Sequence, residues 1–273
     1  MKTMVRWAAA CCGLALLAAG SPALAHNFWL APDKHFPQVG ETVEIKIGFG
    51  HQYPASRVDE RVKDGMVAEV VVIAPDGTAT PLAMQAVDTC RLKIDRPGVH
   101  LLVASMTPGL FSRTPEGMKR GSKRDWPEVV ECRDMRMVAN AWLVAGGQGG
   151  AAPGAPQPLQ ITPLADLVGL KKGDTLPVLV LFKGRPLVGA KLWATYAGYA
   201  PPAAPQPEAQ AGSRASHAAP FAQQVVTDEQ GRAGIELEAA GYWLVIASHG
   251  APYTPAEVCD KQVHTASFAF EAR

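Results

Sequence analysis

The sequence lacks the features by which several common classes of protein are recognised. Its 273 residues carry 26 Lys and Arg against 25 Asp and Glu, so no excess of positive charge is available to bind nucleic acid or an anionic membrane surface. It has no G-x-S-x-G, H-E-x-x-H, P-loop or C-x-x-C motif, and its carboxylates are not paired in a recognisable frame. We therefore expect a protein that is not an enzyme and has no nucleic-acid partner.

Long apolar runs are also scarce, and the one that stands out lies at the start of the chain. Lys2 and Arg6 precede an apolar stretch over 7–20, and an A-x-A site ends at Ala25. This order of a basic segment, a short apolar segment and small residues is typical of a secretory signal peptide. The run is too short to span a bilayer. We therefore expect a signal peptide over 1–25, cleavage after Ala25, a periplasmic location and no stable membrane insertion after processing.

Few cysteines remain once the signal peptide is removed, namely Cys90, Cys132 and Cys259. An oxidising compartment permits one disulfide and leaves one thiol over. The spacing does not identify the pair, but we expect Cys132 to be one of its members.

A helical hydrophobic period is missing as well, apart from one turn of helix near 164–167, and strand patterns dominate. Alternating or β-branched runs predict short strands, closely spaced and separated by Gly and Pro, at 41–49, 67–73, 98–104, 135–143, 175–182, 190–196, on both sides of a turn over 225–233, at 241–247 and at 266–270. Such a pattern is typical of β-sandwiches.

The Gly/Pro-rich segment over 147–158 has the composition of a linker between domains. We therefore predict an all-β protein of two β-sandwich domains, 26–146 and 159–273, of which the C-terminal one is immunoglobulin-like. The basic stretch over 111–128 and the Ala/Pro-rich stretch over 197–220 are predicted to be loops.

Cleavage after Ala25 would make His26 the first residue of the mature protein. Its α-amino group and its imidazole can then chelate one metal ion, since both release protons near neutral pH. These nitrogens suit Ni(II), Co(II), Cu(II) and Zn(II). The alternative is that a histidine stands at this position by chance, because signal peptidase tolerates many residues after its cleavage site. Chelation by one residue is moderate, so a metal site needs further ligands from the fold.

Three other histidines are candidates to complete such a site. His249 follows the predicted strand over 243–248 and His264 leads into the last strand, so antiparallel pairing would bring their imidazoles together. His51 follows Gly50, where glycines allow close backbone approach. The predicted metal ligands are therefore His26, His249, His264 and His51, with Glu257 and Asp260 as candidate oxygen ligands.

The remaining histidines have ordinary structural interpretations. His100 lies inside an apolar strand, where we expect a core histidine bonded to a backbone carbonyl. His35 and His217 are expected at the surface.

The residues that follow the cleavage site, HNFWLAP over 26–32, resemble the A-H-x-F-W-L-x-P opening of a family of bacterial periplasmic proteins. Members of that family carry a domain of unknown function and are associated with nickel or cobalt uptake. The resemblance continues over 183–190, 227–233, 241–245 and 265–270. It implies an N-terminal β-sandwich followed by an immunoglobulin-like domain, a periplasmic metal-handling role and His26 as a ligand.

Three functions follow from these patterns as alternatives. The first is a non-enzymatic periplasmic protein that captures nickel or cobalt, with copper or zinc also suited to its ligands, and works with an inner-membrane transporter or an outer-membrane receptor. The second is a copper histidine brace, in which the N-terminal amine, its ring and one more histidine bind copper in a carrier or an oxidase. The third is a structural or interaction sandwich without a ligand, in which the mature N-terminus is buried as an ordinary edge strand and His249 and His264 point apart.

Overall fold

The computed structural model describes residues 26–54, 61–151, 153–155, 157–200 and 221–273. The predicted signal peptide over 1–25, His217 and most of the predicted loop over 197–220 lie outside this part. The described residues form eighteen β-strands and one short 3₁₀ turn, Leu167–Gly169, so the prediction of an all-β protein is confirmed. None of the described helical residues belongs to a helix long and apolar enough to cross a membrane.

The strand bounds are as follows. In chain order the strands are β1 (Asn27–Pro32), β2 (Thr42–Gly50), β3 (Val67–Ile73), β4 (Ala79–Pro81), β5 (Met84–Ala86), β6 (Thr89–Lys93), β7 (Gly98–Met106), β8 (Gly109–Thr114), β9 (Gly117–Arg120), β10 (Glu131–Ala145), β11 (Leu159–Pro163), β12 (Thr175–Phe182), β13 (Arg185–Pro186), β14 (Lys191–Tyr196), β15 (Gln223–Val226), β16 (Arg232–Glu236), β17 (Gly241–Pro252) and β18 (Lys261–Ala272).

These strands form three sheets. The N-terminal sheet has the order β1-β2-β6-β5, and the C-terminal sheet has the order β11-β12-β13 with β16 beside β12. Between them lies a ten-stranded central sheet with the order β15-β14-β17-β18-β10-β7-β3-β4, to which β8 and β9 are attached beside β10. Its strands pair antiparallel except β10 and β18, which run parallel.

The central sheet is covered on both faces, which explains the continuous apolar runs in its strands. Successive side chains of a strand point to opposite faces. Leu143 packs with the core under the N-terminal sheet, whereas Trp142 and Val144 pack with the core under the C-terminal sheet. Leu244 and Val245 divide in the same way. Two sandwiches therefore share their middle sheet, and the predicted sandwich architecture is confirmed.

The predicted linker over 147–158 joins β10 to β11. Strands from the two sides of it also pair directly, because β10 and β18 are in register from Arg133 opposite Lys261 to Ala141 opposite Ala269. The two predicted domains thus contribute to one continuous sheet. Their division at 147–158, as a statement about which parts fold independently, stays a prediction.

The basic stretch over 111–128 was predicted as a loop, and this is wrong for its first half. β8 and β9 form an antiparallel hairpin, and β8 also pairs with β10. The inward positions of β8 are Ser112 and Thr114, which are buried. Because these positions carry hydroxyls instead of apolar side chains, the strand has no hydrophobic alternation to detect.

A disulfide ties the start of β10, beside this hairpin, to the segment before β18. Cys132 is bonded to Cys259, in agreement with the expectation that Cys132 is one of the partners. Cys90 is a buried free thiol whose pKa burial raises to about 11. It is therefore a protonated, packed side chain at neutral pH.

Candidate metal centre

The first strand places His26 beside the end of β2. β1 and β2 pair antiparallel with Asn27 opposite Gly50, so His26 and His51 come next in the same register. Their ring centroids are 4.5 Å apart, with the ring planes inclined by 40°. The His26 ring also stacks on Phe49 at 4.8 Å and 5°. Two of the four predicted ligands are therefore brought together.

The strand that carries His26 is firmly anchored. Phe28 and Trp29 are buried almost completely, and the indole of Trp29 lies against Gly48, where a Cβ would be 2.0 Å from the ring. The Trp29 Nε1 donates a hydrogen bond to the Pro54 carbonyl at 3.1 Å. From the central sheet, the Ser267 hydroxyl donates to the Phe28 carbonyl at 2.6 Å. The aromatic residues of the opening motif thus fix the position of the chain next to His26.

The other two predicted ligands also form a pair. His249 and His264 are direct register partners across β17 and β18, and they do not point apart. Both rings pack on Phe182 of β12, with centroid distances of 4.3 Å from His249 and 5.2 Å from His264. Burial lowers the pKa of each imidazole, and the charges of Arg136 and Lys183 lower that of His264 further. Both rings are therefore neutral at neutral pH.

The two histidine pairs do not form one cluster. In β18, His264 is on the same face as Ala266 and Phe268, which belong to the core under the C-terminal sheet. Ser267 is on the other face and bonds to β1. Since side chains alternate along a strand, the His26–His51 pair and the His249–His264 pair lie on opposite faces of the central sheet.

The two predicted oxygen ligands, Asp260 and Glu257, have other partners. Asp260 accepts hydrogen bonds from Lys123 at 2.5 Å and from the Cys132 backbone N–H at 2.8 Å, beside the disulfide. Glu257 forms an ion pair with Arg124 at 3.6 Å. Within the described ranges, no three His, Cys, Asp or Glu side chains are grouped so as to hold a metal ion. Each histidine pair thus supplies two side-chain ligands.

Of the predictions for histidines outside the site, the one for His100 is confirmed and the one for His35 is wrong. His100 is a core histidine whose Nδ1 lies 3.2 Å from the Gly98 carbonyl, as predicted. The surface prediction for His35 is wrong, because His35 is only 2 % exposed and its Nδ1 donates to the Trp142 carbonyl at 2.7 Å. Burial lowers its pKa to about 4. Its polar sequence neighbours gave no sign that the central sheet would cover it.

Fold and site together define a β-sandwich protein with two pairs of histidines, one at the edge of the N-terminal sheet and one in the central sheet. The chain belongs to a family described as a domain of unknown function, DUF4198, whose profile matches residues 23–251. The resemblance to a family with a domain of unknown function is confirmed at that level. None of the curated proteins matches the chain in sequence.

Several solved structures are distantly similar in fold. Trypsin-activated alpha-2-macroglobulin from Escherichia coli is 14% identical with a TM-score of 0.22, over 93% of this chain and 16% of that one. The E. coli adhesin FdeC is 13% identical with a TM-score of 0.23, over 88% and 63%. Murine CEACAM1b is 9% identical with a TM-score of 0.19, over 91% and 98%. At these scores the likeness carries no argument about function.

Proposed function

We propose that this protein is a non-enzymatic periplasmic metal-binding protein that assists the uptake of a divalent transition metal, nickel or cobalt. The ion is held at His26 and His51 of the processed chain. The observation that carries the proposal is the contact between these two rings, whose centroids are 4.5 Å apart. It joins the first residue of the expected mature chain to a second imidazole.

Processing would supply the third ligand. In the full chain the backbone nitrogen of His26 is a peptide amide, which is not a basic ligand. Cleavage after Ala25 converts it into an α-amino group with an ordinary pKa of about 7.7–8.0, which binds a metal ion once it loses its proton. One amine and two imidazoles give three nitrogen ligands, a set that suits Ni(II), Co(II), Cu(II) and Zn(II).

The surroundings of His26 favour binding because they reduce the freedom of its ligands. The ring stacks on Phe49, and the next residues of β1 are buried between two sheets. A chelating residue that is held in place before the metal arrives loses less conformational entropy on binding. An N-terminus that was free on a flexible tail would not have this advantage.

The choice of nickel or cobalt rests on the resemblance of residues 26–32 to the opening of periplasmic proteins associated with uptake of these metals. In this function the protein passes its ion to an inner-membrane transporter or acts with an outer-membrane receptor. Selectivity among metals comes from site geometry and metal supply, since intrinsic affinity favours copper over nickel.

Calorimetric titration with Ni(II) and Co(II) tests the proposal on protein secreted and processed by the cell. We expect a tight site that is lost when one Gly precedes His26, because the α-amine then moves away from the ring. His51→Asn should weaken this site by roughly tenfold or more, about 1.4 kcal/mol. His249→Asn is the matched control, because it removes a histidine on the opposite face of the sheet. No binding, or the same affinity in the Gly-extended protein, overturns the proposal.

A second candidate function is a copper histidine brace in a carrier or an oxidase. The observation that favours it is the same contact, since the amine and ring of the first residue together with one more histidine form the T-shaped ligand set of a brace. Affinity alone does not separate the two functions, because Cu(II) binds most nitrogen sites tightly. Metal analysis of the protein isolated from its own periplasm separates them. Copper as the bound metal, with an axial Cu(II) spectrum, favours the brace. An oxidase would also cleave a polysaccharide only when an oxidant is present.

A further inference from the structure

The His249–His264 pair has the arrangement of a small chelating site. The two residues are directly opposite each other on antiparallel strands, where Cβ atoms lie about 4.5–5.5 Å apart. Their rings contact the same aromatic residue, Phe182, which limits how far they can rotate. Two imidazoles held at this spacing can bind one metal ion between them.

One nitrogen of this pair lacks a hydrogen-bond partner. His264 is only 6 % exposed, and its Nε2 has no partner among the described residues. Buried polar atoms are nearly always satisfied, so an orphaned imidazole nitrogen calls for a ligand. His35 has a similar orphaned nitrogen, but its ring contacts Tyr242 instead of a second histidine.

The charges around the pair are mixed. Arg136 and Lys183 act on His264 as positive charges and Asp134 acts as a negative one, and Arg136 has the largest effect of the three. Arg136 is paired with Asp134 at 2.9 Å, and the Lys183 ammonium lies over the Phe182 ring, 5.4 Å from its centroid. The positive charges oppose a metal ion at this pair, so we expect its affinity to be modest.

Solvent reaches both histidines. His249 lines a groove of about 390 Å³, and His264 lines a separate, smaller cavity of about 150 Å³. A hydrated metal ion can therefore approach the pair and keep water in the positions that the protein does not fill.

We propose that His249 and His264 form a second site for a divalent transition metal ion, separate from the processed N-terminus. Its two protein ligands are side chains, so this site does not require cleavage after Ala25 and does not rest on the function proposed above. With two protein ligands against three, it binds more weakly than the N-terminal site and releases its ion more easily. The protein then carries one ion that depends on processing and one that does not.

The experiment uses a Gly-extended protein, the mature chain with one Gly before His26, that also carries His51→Asn, so that the His26–His51 pair is removed and the His249–His264 pair is kept. Calorimetric titration with Zn(II) should give about one site. His249→Asn and His264→Asn, each in this background, should abolish it. Ser248→Ala is the matched control, because Ser248 is next to His249 but faces the other side of the sheet, and it should retain the site.

A second measurement covers the case in which a variant fails to fold. Imidazole ¹⁵N–¹H spectra of the Gly-extended protein during the Zn(II) titration should show two histidines shifting together, and circular dichroism reports whether each variant is folded. No binding by the Gly-extended protein, or binding that survives in folded His249→Asn, overturns the second site. If the N-terminal proposal is wrong instead, the Gly extension will not change metal affinity, and the site that depends on His249 will still be observed.

Discussion

Mild acid should destabilise this protein through His35. The ring is 2 % exposed, and its Nδ1 donates to the Trp142 carbonyl at 2.7 Å. Burial is the larger effect on this group and lowers its pKa from 6.5 to about 4, while the hydrogen bond acts in the opposite direction. Between these two pKa values, His35 is protonated in the unfolded chain and neutral in the folded protein.

The sign and size of the effect follow from this difference in pKa. Between pH 6.5 and 4 the unfolded chain binds more protons than the folded one, so stability falls as the pH falls. The contribution is fully present above pH 6.5 and is lost below about pH 4. At 1.36 kcal/mol for each pKa unit, the total loss is about 3 kcal/mol, of which about 2.5 kcal/mol has occurred at pH 4.5.

The assay is urea denaturation of the wild-type protein and of His35→Gln at pH 7.5 and 4.5. Gln keeps an N–H that can donate to Trp142 but does not titrate. Other groups titrate too: burial raises the pKa of Glu271, which favours the folded state as the pH falls. Comparison of the two proteins cancels this contribution. We expect the wild type to lose about 2.5 kcal/mol more than the variant over this range. Equal losses would refute the assignment of the acid sensitivity to His35.

Three further predictions concern the anchoring of the fold. Gly48→Ala should lower the free energy of unfolding by about 1–3 kcal/mol, because the new Cβ would lie 2.0 Å from the buried indole of Trp29; an unchanged urea midpoint would contradict this. Replacing both Cys132 and Cys259 by Ser should cost up to about 5 kcal/mol, since the disulfide spans 127 residues, and reduction of the wild type should give the same midpoint as the double variant. Ser267→Ala should cost about 1 kcal/mol and weaken nickel binding, because its hydroxyl holds β1 at 2.6 Å; full nickel affinity would show that this bond does not position the site.

Strands with a plain hydrophobic signal could be predicted well from the sequence. The ranges expected at 67–73 and 175–182 are those of β3 and β12. β1 was predicted only within the hypothesis of a sandwich without a ligand, as an N-terminal edge strand, and β1 does lie at the edge of its sheet. The hydrophobic pattern did not predict it, because four consecutive residues from Asn27 to Leu30 are buried and no alternation remains. They are buried together since β1 lies between its neighbour β2 and the central sheet. Burial from two directions is a tertiary property, which a local pattern does not contain.

The candidate site shows the same division between local and tertiary information. The chemistry of each histidine could be judged from its position in the chain, and the pairing of His249 with His264 follows from two adjacent antiparallel strands. The face on which each pair lies could not be predicted. It depends on the order of the strands across the central sheet, and β10 joins β18 through a parallel contact between distant parts of the chain. A shift of one residue in that register would move His264 to the other face.

The two histidine pairs differ most clearly in how signal-peptide cleavage affects them. A peptide amide at His26 leaves two imidazoles, whereas cleavage adds an amine, so proteolysis raises the number of nitrogen ligands at one pair only. The His249–His264 pair has the same ligands before and after cleavage. Nickel affinity at the His26–His51 pair should therefore rise when a Gly-extended chain is trimmed to begin at His26, while the His249-dependent heat remains. A trimmed chain whose nickel affinity is unchanged would show that the His26–His51 contact is packing alone.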